Sequence, residues 1–273
     1  MGEYGMTVVI DGKTELFGCI AHPTAHVRAP SLFNPLFAAH DQNRVMVPMD
    51  ITPDGLASSV AAFKQMPNFK GAAVTIPHKM TLAELCDELG EVAQITGAVN
   101  AVAVKDGKLC GDNFDGAGFV AGVKGEGIAL AGRKVALIGA GGAARAIAYA
   151  LSCENITSLT VHNRTLAKAE ALQDAIMSFL PQAPLHVSDG VDYSDYDMII
   201  NATSLGLYEG DALPCALEGV REDAVICDII MSPAETAWLQ QAAARGLRCH
   251  YGRHMLDYQI TLIGQFIGAI DEG

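Results

Sequence analysis

Residues 133–151 read RKVALIGAGGAARAIAYAL, and their order decides the fold. The apolar run KVALI reads as a buried strand, GAGGAA as a glycine turn, and the rest as a helix. Gly139, Gly141 and Ala144 fit G-x-G-x-x-G/A, a pattern that gains meaning only between a strand and a helix, which is where it stands here. The first glycine allows the tight turn. The second lets a pyrophosphate approach the backbone, and the helix N-terminus offers free N–H groups and the positive end of its dipole. The spacing predicts dinucleotide binding, with an unliganded glycine turn as the plain alternative.

The next strand, TSLTVHN, ends in His162, Asn163, Arg164 and Thr165. An NAD site usually carries Asp or Glu there, to bind the ribose 2′-hydroxyl. Arginine instead suits a 2′-phosphate, which a carboxylate would repel. Lys168, one turn on, adds positive charge. NADP is therefore expected over NAD, against the alternative of a solvated arginine at a strand end. DMIINAT, AVICDII and LRCHYG follow as further strands, and MLDYQITLIGQFIGAI closes the chain with apolar residues at helical spacing.

Upstream, short strand-like runs also alternate with helical ones. ELFGCI, VMVPMDI and KGAAVTI read as strands; SLFNPLFAAHDQ, LASSVAAFKQM and TLAELCDELGEVAQIT read as helices. VNAVAV and KLCGDN flank a turn at Asp106 and Gly107. This alternation implies a mostly parallel sheet covered by helices. The expected fold is α/β in two domains: an N-terminal substrate domain with a mostly parallel sheet, and a C-terminal Rossmann-like NADP domain. Residues 1–116 form the first, with 253–273 packing back on it, and residues 117–252 form the second. The boundary is expected near Gly116 to Gly118, where glycines allow a hinge.

The chain has 273 residues, half of them hydrophobic, enough for two domains with real cores. No apolar run is long enough to span a bilayer, and MGEYGMTVVIDGKTELFG lacks the basic and apolar regions of a signal peptide. Seven scattered cysteines form no CxxC pair and no metal-like cluster, so reduced thiols in a cytoplasm and no metal site are expected. A net charge of −13 argues against nucleic-acid or anionic-membrane partners and leaves a small-molecule substrate. No interface signal separates a monomer from a homodimer.

Residues 16–30, LFGCIAHPTAHVRAP, leave the first strand through a loop bearing His22, His26 and Arg28, broken by Pro23 and closed by Pro30. The prolines argue against regular helix or central strand there. AAVTIPHKM puts Lys79 just past a strand, where open α/β sheets bind ligands. GDNFDG puts Asp112 and Asp115 next to the domain boundary. A lysine beside a carboxylate in a cleft can shuttle a proton; taken singly, each reads first as an ordinary surface charge.

In this order the segments resemble the shikimate dehydrogenase family over almost the whole chain. FGCIAHPTAHVRAP is similar to its first-strand motif, AVTIPHK to N-V-T-x-P-x-K, and TGAVN to G-A-x-N. GDNFDG is similar to G-D-N-T-D-G, GAGGAAR to the cofactor loop, HNRT to N-R-T, INATSLG to N-[AT]-[ST]-x-x-G, and MLDYQ to M-L-x-x-Q. The resemblance implies that Lys79 and Asp115 are the catalytic pair. It implies that Asn100, Thr75, Asp115 and Gln259 bind substrate. For the cofactor it implies Gly139, Ala140, Gly141, Gly142, Ala143, Asn163, Arg164, Thr165, Lys168, Thr203 and Ile229, with Gly252 near the nicotinamide. The implied chemistry is hydride transfer between NADP and a secondary alcohol of a cyclic polyol acid or a relative, as in aromatic amino acid biosynthesis. Lys79 would move the hydroxyl proton, and Asp115 would position lysine and hydroxyl.

The loop departs from the family's H-S-x-S-P, whose serines hold the substrate carboxylate. Here the positions read His26, Val27, Arg28, Ala29 and Pro30. Two lost charge-assisted hydrogen bonds, each worth roughly 1.5–3 kcal/mol, would weaken shikimate binding by about two orders of magnitude or more. Ala73, Phe114, Met231 and His254 also replace the family's usual residues. Two readings of this wall stand. His22, His26, Arg28, His78 and His254 supply new donors to an acidic substrate, with Arg28 as a carboxylate clamp. Alternatively Val27, Ala29, Ala73 and Phe114 line an apolar wall for a substrate without that carboxylate, or with it elsewhere; the plain alternative to both is that His22 and Arg28 point to solvent and have no role. A divergent paralogue of the family is the leading expectation. A non-catalytic dinucleotide-binding sensor and a true shikimate 5-dehydrogenase, converting 3-dehydroshikimate to shikimate, are the rivals.

Overall fold

The computed structural model describes residues 9–25 and 27–270. It divides into two units, Met1–Phe114 with Ile260–Gly273, and Asp115–Gln259.

In the first unit the elements run β1 (Glu15–Ala21), α1 (Ala29–Ala39), β2 (Arg44–Asp50), α2 (Leu56–Phe63), β3 (Phe69–Val74), α3 (Lys79–Glu84), β4 (Glu88–Leu89), α4 (Glu91–Thr96), β5 (Ala101–Lys105) and β6 (Lys108–Asp112). The sheet order is β2-β1-β3-β5-β6-β4. β1 pairs parallel with β2 and β3, and β4 with β6, while β5 runs antiparallel to both its neighbours. The sheet is thus parallel-rich and mixed. The antiparallel step comes from the β5–β6 hairpin, whose turn residues Asp106 and Gly107 have φ of 51° and 76°, as a two-residue turn requires.

Three rings, Phe17, Phe33 and Phe37, are wholly buried where α1 covers the sheet, with centroids 5.7 and 6.0 Å apart. Each buried phenyl contributes about 1.5–3 kcal/mol. β2 is an edge strand, and Asn34 of α1 covers part of it. Its Oδ1 accepts from Met46 N at 2.8 Å, and its Nδ2 donates to Met46 O at 2.9 Å. That pairing occupies backbone groups that would otherwise template another strand.

Two expectations fail here. Pro30 does not exclude a helix. It lies in the first turn of α1, where a missing N–H costs nothing. The single helix expected over 81–96 is two short helices separated by β4. Asp112 is the reason: its carboxylate fills the space where a side chain on Gly90 would stand, and its Oδ1 accepts from Ala93 N at 3.1 Å in the first turn of α4. Asp87 N and Gly90 N then pair with Leu109 O and Gly111 O, which holds the intervening segment as a strand.

The second unit runs α5 (Asp115–Gly125), β7 (Lys134–Ile138), α6 (Gly142–Ser152), β8 (Ser158–His162), α7 (Leu166–Phe179), β9 (Leu185–Ser188), β10 (Met198–Asn201), β11 (Val225–Asp228), α8 (Ala237–Ala244) and β12 (Arg248–His250). The helix α9 (Gly252–Phe266) begins in this unit. Its sheet is parallel throughout, in the order β12-β11-β10-β7-β8-β9. This is the doubly wound arrangement, and chain order reverses direction at β7, between β10 and β8. β9 escaped the sequence reading because LHVS is short and only partly apolar.

The hinge expected at Gly116–Gly118 is not what the glycines provide. They lie inside α5, buried, and serve close packing. A Cβ on Gly118 would stand 2.6 Å from Gln259 Cβ, and one on Gly116 would overlap the Ala146 carbonyl. The substitution Gly116→Ala gains helix propensity of about 1 kcal/mol. It also drives a methyl into backbone that cannot yield, and overpacking costs about 1–3 kcal/mol or more. Thermal denaturation is expected to show a melting temperature several degrees lower, and an equal or higher one would reject this packing.

His250, at the end of β12, is 2% exposed, and among the described residues neither ring nitrogen has a partner. The ring stacks on Phe119 at 5.4 Å. Burial, with His254 and Arg248 adding, pushes the imidazole down to about 4 from 6.5. As the pH falls the unfolded chain therefore takes up this proton before the folded one does. The contribution is complete above pH 6.5 and is lost as the pH falls toward 4, about 3 kcal/mol in all. Urea titrations at pH 7 and pH 5 are expected to lose this part of their difference in His250→Phe; an unchanged difference would count against it.

Candidate active-site residues and their setting

In the first unit, register brings several loops to one edge of the sheet. β1 and β3 are parallel and leave it at the same edge. The pairings Ala73↔Ala101 and Ala101↔Asp112 put the start of β5 and the end of β6 there too. Segments 22–25 and 27–28, Thr75–Lys79, Asn100 and Asn113–Phe114 therefore gather where a parallel sheet presents ligands.

Backbone bonds hold them. Thr75 N donates to Ile20 O at 3.0 Å, Val74 N to Asn100 O at 2.8 Å, and Val99 N to Lys79 O at 2.9 Å. Lys79 opens α3, and both it and Thr75 are half-buried. Asn100 is 2% exposed; its N–H donates to Asp112 O at 3.0 Å, and its Oδ1 accepts from Phe114 N at 2.9 Å. Asp112, a sequence candidate for proton transfer, instead works as a cap. It accepts from Asn113 N at 2.8 Å as well as from Ala93 N, while burial raises its carboxyl above the ordinary value.

Two imidazoles of this edge, those of His22 and His78, are already engaged. His78 is 2% exposed, and its Nε2 lies 2.7 Å from Ile51 O; a carbonyl can only accept, so Nε2–H donates. His22 is exposed, with Nδ1 2.7 Å from Asp50 Oδ1, and this bond is the main reason the Asp50 carboxyl lies below its ordinary value. Thr24 also binds Asp50, through N–H and hydroxyl, each at 3.3 Å. His26 lies outside the described residues. Val27 is half-buried, Arg28 is exposed and caps α1 without a side-chain bond, and Ala29 is 8% exposed. Phe114 packs on Phe266, centroids 5.2 Å apart, and Ala73 is buried in β3.

In the second unit the glycine turn sits at the C-terminal end of β7. Gly139 has φ of 120°, and a Cβ there would meet Ala202 O at 2.8 Å, so no other residue fits without strain. Around Gly141 and Gly142 the space is open: a Cβ on either would meet nothing within 4 Å. Gly141 caps α6, whose first turn has no acidic residue. That is room, free N–H groups and a positive dipole end, a cradle suited to a pyrophosphate. Gly139 N bonds His162 O at 2.8 Å, which sets the end of β8 beside the turn. There Asn163 folds its Nδ2 onto Thr165 O at 2.8 Å, and Arg164, Thr165 and Lys168 are exposed.

Beyond β10 and β11 lies a buried polar network that sequence reading did not find. Asp228 Oδ1 accepts from Asn201 Nδ2 at 3.1 Å and from Ile230 N at 3.0 Å, and its Oδ2 accepts from Thr236 at 2.9 Å. Burial raises this carboxyl above its ordinary value. Asn201 Oδ1 accepts from Thr203 N and Oγ1, so the network shapes both strand-exit loops. Ile229 and Gly252 are brought together: a Cβ on Gly252 would lie 2.6 Å from Ile229 O. The available signal was a polar residue closing each apolar strand, Asn201 after MII and Asp228 after VIC. Asp115, opening α5, and Gln259 are 4% and 5% exposed. Met231 is exposed, and His254 Nδ1 stands 3.2 Å from Glu126.

Among the described residues no His, Cys, Asp or Glu group is arranged to hold a metal ion, and no helix is long and apolar enough to cross a membrane.

Comparison with known proteins matches this organisation. A family description of the shikimate dehydrogenase substrate binding domain fits residues 19–102, and one of shikimate / quinate 5-dehydrogenase fits residues 123–208. The shikimate dehydrogenase (NADP(+)) of Rubrobacter xylanophilus is 39% identical over 254 residues, covering 92% of this chain and 89% of that one. A crystal structure of a shikimate dehydrogenase in complex with NADP+ superposes with a TM-score of 0.87 at 33% identity, covering 98% of this chain and 94% of that one. The ligand-free 5-ketofructose reductase of Gluconobacter sp. strain CHM43 superposes with a TM-score of 0.83 at 31% identity, covering 93% of each chain. On the identity and coverage of these matches, the chain belongs to the shikimate/quinate dehydrogenase family.

Proposed function

We propose that Lys79 and Asp115 are the proton-handling pair of this NADP-dependent dehydrogenase, acting on a secondary alcohol of a cyclic polyol acid or a related compound. The enzyme class follows from the family and from relatives named for NADP(+). The observation that carries the pair is the gathering of Thr75, Lys79 and Asn100 at one sheet edge. Asn100 also holds the N–H of Phe114, the residue before Asp115.

The cofactor-facing residues fit NADP. Gly141 and Gly142 leave the α6 N-terminus open to a pyrophosphate, and Arg164 and Lys168 supply exposed positive charge for a 2′-phosphate. Thr203, Ile229 and Gly252 belong to the loops nearest the nicotinamide on this reading. When bound, the nicotinamide supplies or accepts the hydride. The protein's part is to hold the hydroxyl and manage its proton. Lys79 Nζ takes that proton during oxidation and returns it during reduction. Asp115 orients the lysine and the hydroxyl, while Thr75, Asn100 and Gln259 fix the ring. Val27, Arg28 and Ala29 belong to the segment that selects the substrate.

A second reading has an observation in its favour. The Rubrobacter relative is named a shikimate dehydrogenase, which supports a true shikimate 5-dehydrogenase in aromatic amino acid biosynthesis. The absence of hydroxyls at Val27 and Ala29 weighs against it. A non-catalytic sensor would not need Lys79.

Two measurements bear on the pair and the cofactor. Lys79→Ala is expected to lower kcat by about 10²–10⁴-fold, with NADP affinity by fluorescence titration preserved. Full activity without the lysine would remove the proposal and favour the sensor. Arg164→Ala is expected to raise KM for NADP by roughly 10–100-fold, one charge-assisted hydrogen bond, while KM for NAD changes little. Equal effects on the two cofactors would assign Arg164 to solvent.

A further inference from the structure

We infer that the substrate group facing residues 27–29 is uncharged, so that the preferred substrate is a neutral polyhydroxy alcohol–ketone pair rather than a hydroxy acid. This narrows the proposed function and rests on it.

A buried carboxylate needs several strong donors, and segment 27–31 has few to give. Val27 and Ala29, the less exposed side chains, have no polar atoms. Val27 N already donates to Thr24 O, and Ser31 N to Arg28 O, each at 3.0 Å. Pro30 has no N–H. The start of α1 is therefore short of the free N–H groups that make a helix N-terminus attractive to an anion.

The charges tell the same story. Among the described residues at this edge, Lys79 serves the reaction and Arg28 is exposed to screening water. His78 is buried and donates to Ile51 O. His22 is held on Asp50, the residue that ends β2. An arriving anion would meet the Asp50 carboxylate and an apolar loop. The Thr75 hydroxyl and the Asn100 amide, by contrast, are neutral groups suited to alcohols. The Gluconobacter neighbour is named for a keto sugar, which has no carboxylate.

The reaction balances without further reagents: a secondary alcohol and NADP+ give a ketone, NADPH and one proton. NADP+ reduction at 340 nm is measured with shikimate, quinate and the methyl ester of each, and NADPH oxidation with 5-keto-D-fructose. The neutral compounds are expected to exceed their acids at least tenfold in kcat/KM. Parity, or preference for the acids, overturns the inference and leaves the proposed function standing. No lysine-dependent turnover of any compound overturns the proposed function, and the inference falls with it. The double substitution Val27→Ser, Ala29→Ser is expected to shift the acid-to-ester ratio tenfold or more toward the acids. An unchanged ratio removes the 27–29 segment as the selecting wall.

Discussion

Asn100 is the residue on which the strand exits at one edge of the first unit's sheet depend. It is almost fully buried, and its backbone and side chain together join three segments: the end of β3 through Val74, the end of β6 through Asp112, and the exit toward α5 through Phe114. A buried amide left unpaired costs about 1–3 kcal/mol, so each of those segments is held against a definite penalty. The position of Lys79 follows from the same arrangement, because its carbonyl accepts from Val99, the neighbour of Asn100. The first residue of a short helix is thus tied to the backbone beside an adjacent strand as well as to its own helix.

The second unit solves the same problem in the same manner. Asn201 ends β10 fully buried and, with Asp228 and Thr236, governs the two loops that leave β10 and β11. Parallel strands present all their exits at one edge, where backbone groups lose their ladder partners. An asparagine satisfies a donor and an acceptor at once. It suits a strand exit that must be both buried and sharply turned.

Much of this was readable in the chain. The strand–glycine–helix order at 133–151 carried the second unit's architecture because it is a local signal: Gly139 has positive φ and no room for a Cβ, while Gly141 and Gly142 stand in open space at the start of α6. The hairpin at Asp106–Gly107 was visible for a similar reason. What escaped was decided by contacts distant in sequence. The break in 81–96 depends on Asp112, some twenty residues on. The glycines of α5 looked like a hinge, because spacing alone does not reveal that Ala146 and Gln259 press against them. His78 looked like a wall donor until its bond to Ile51 appeared. Local steric rules can be read from sequence; reciprocal burial and the choice of hydrogen-bond partner cannot.

The two kinds of residue also differ in how freely they can change. Lys79, Thr75 and Asn100 belong to segments laced by backbone bonds, where a substitution disturbs partners on neighbouring strands. Val27 and Arg28 lie in a loop where Val27 makes one local backbone bond and Arg28 is exposed; Ala29 contributes only a methyl to α1. Exchanging a hydroxyl for a methyl there alters what a ligand meets without unpairing a buried group, and substitutions of that kind usually cost well under the price of a core change. The fold therefore separates segments held by backbone bonds to neighbouring strands from a loop that has few such bonds, and the second can drift while the first is held.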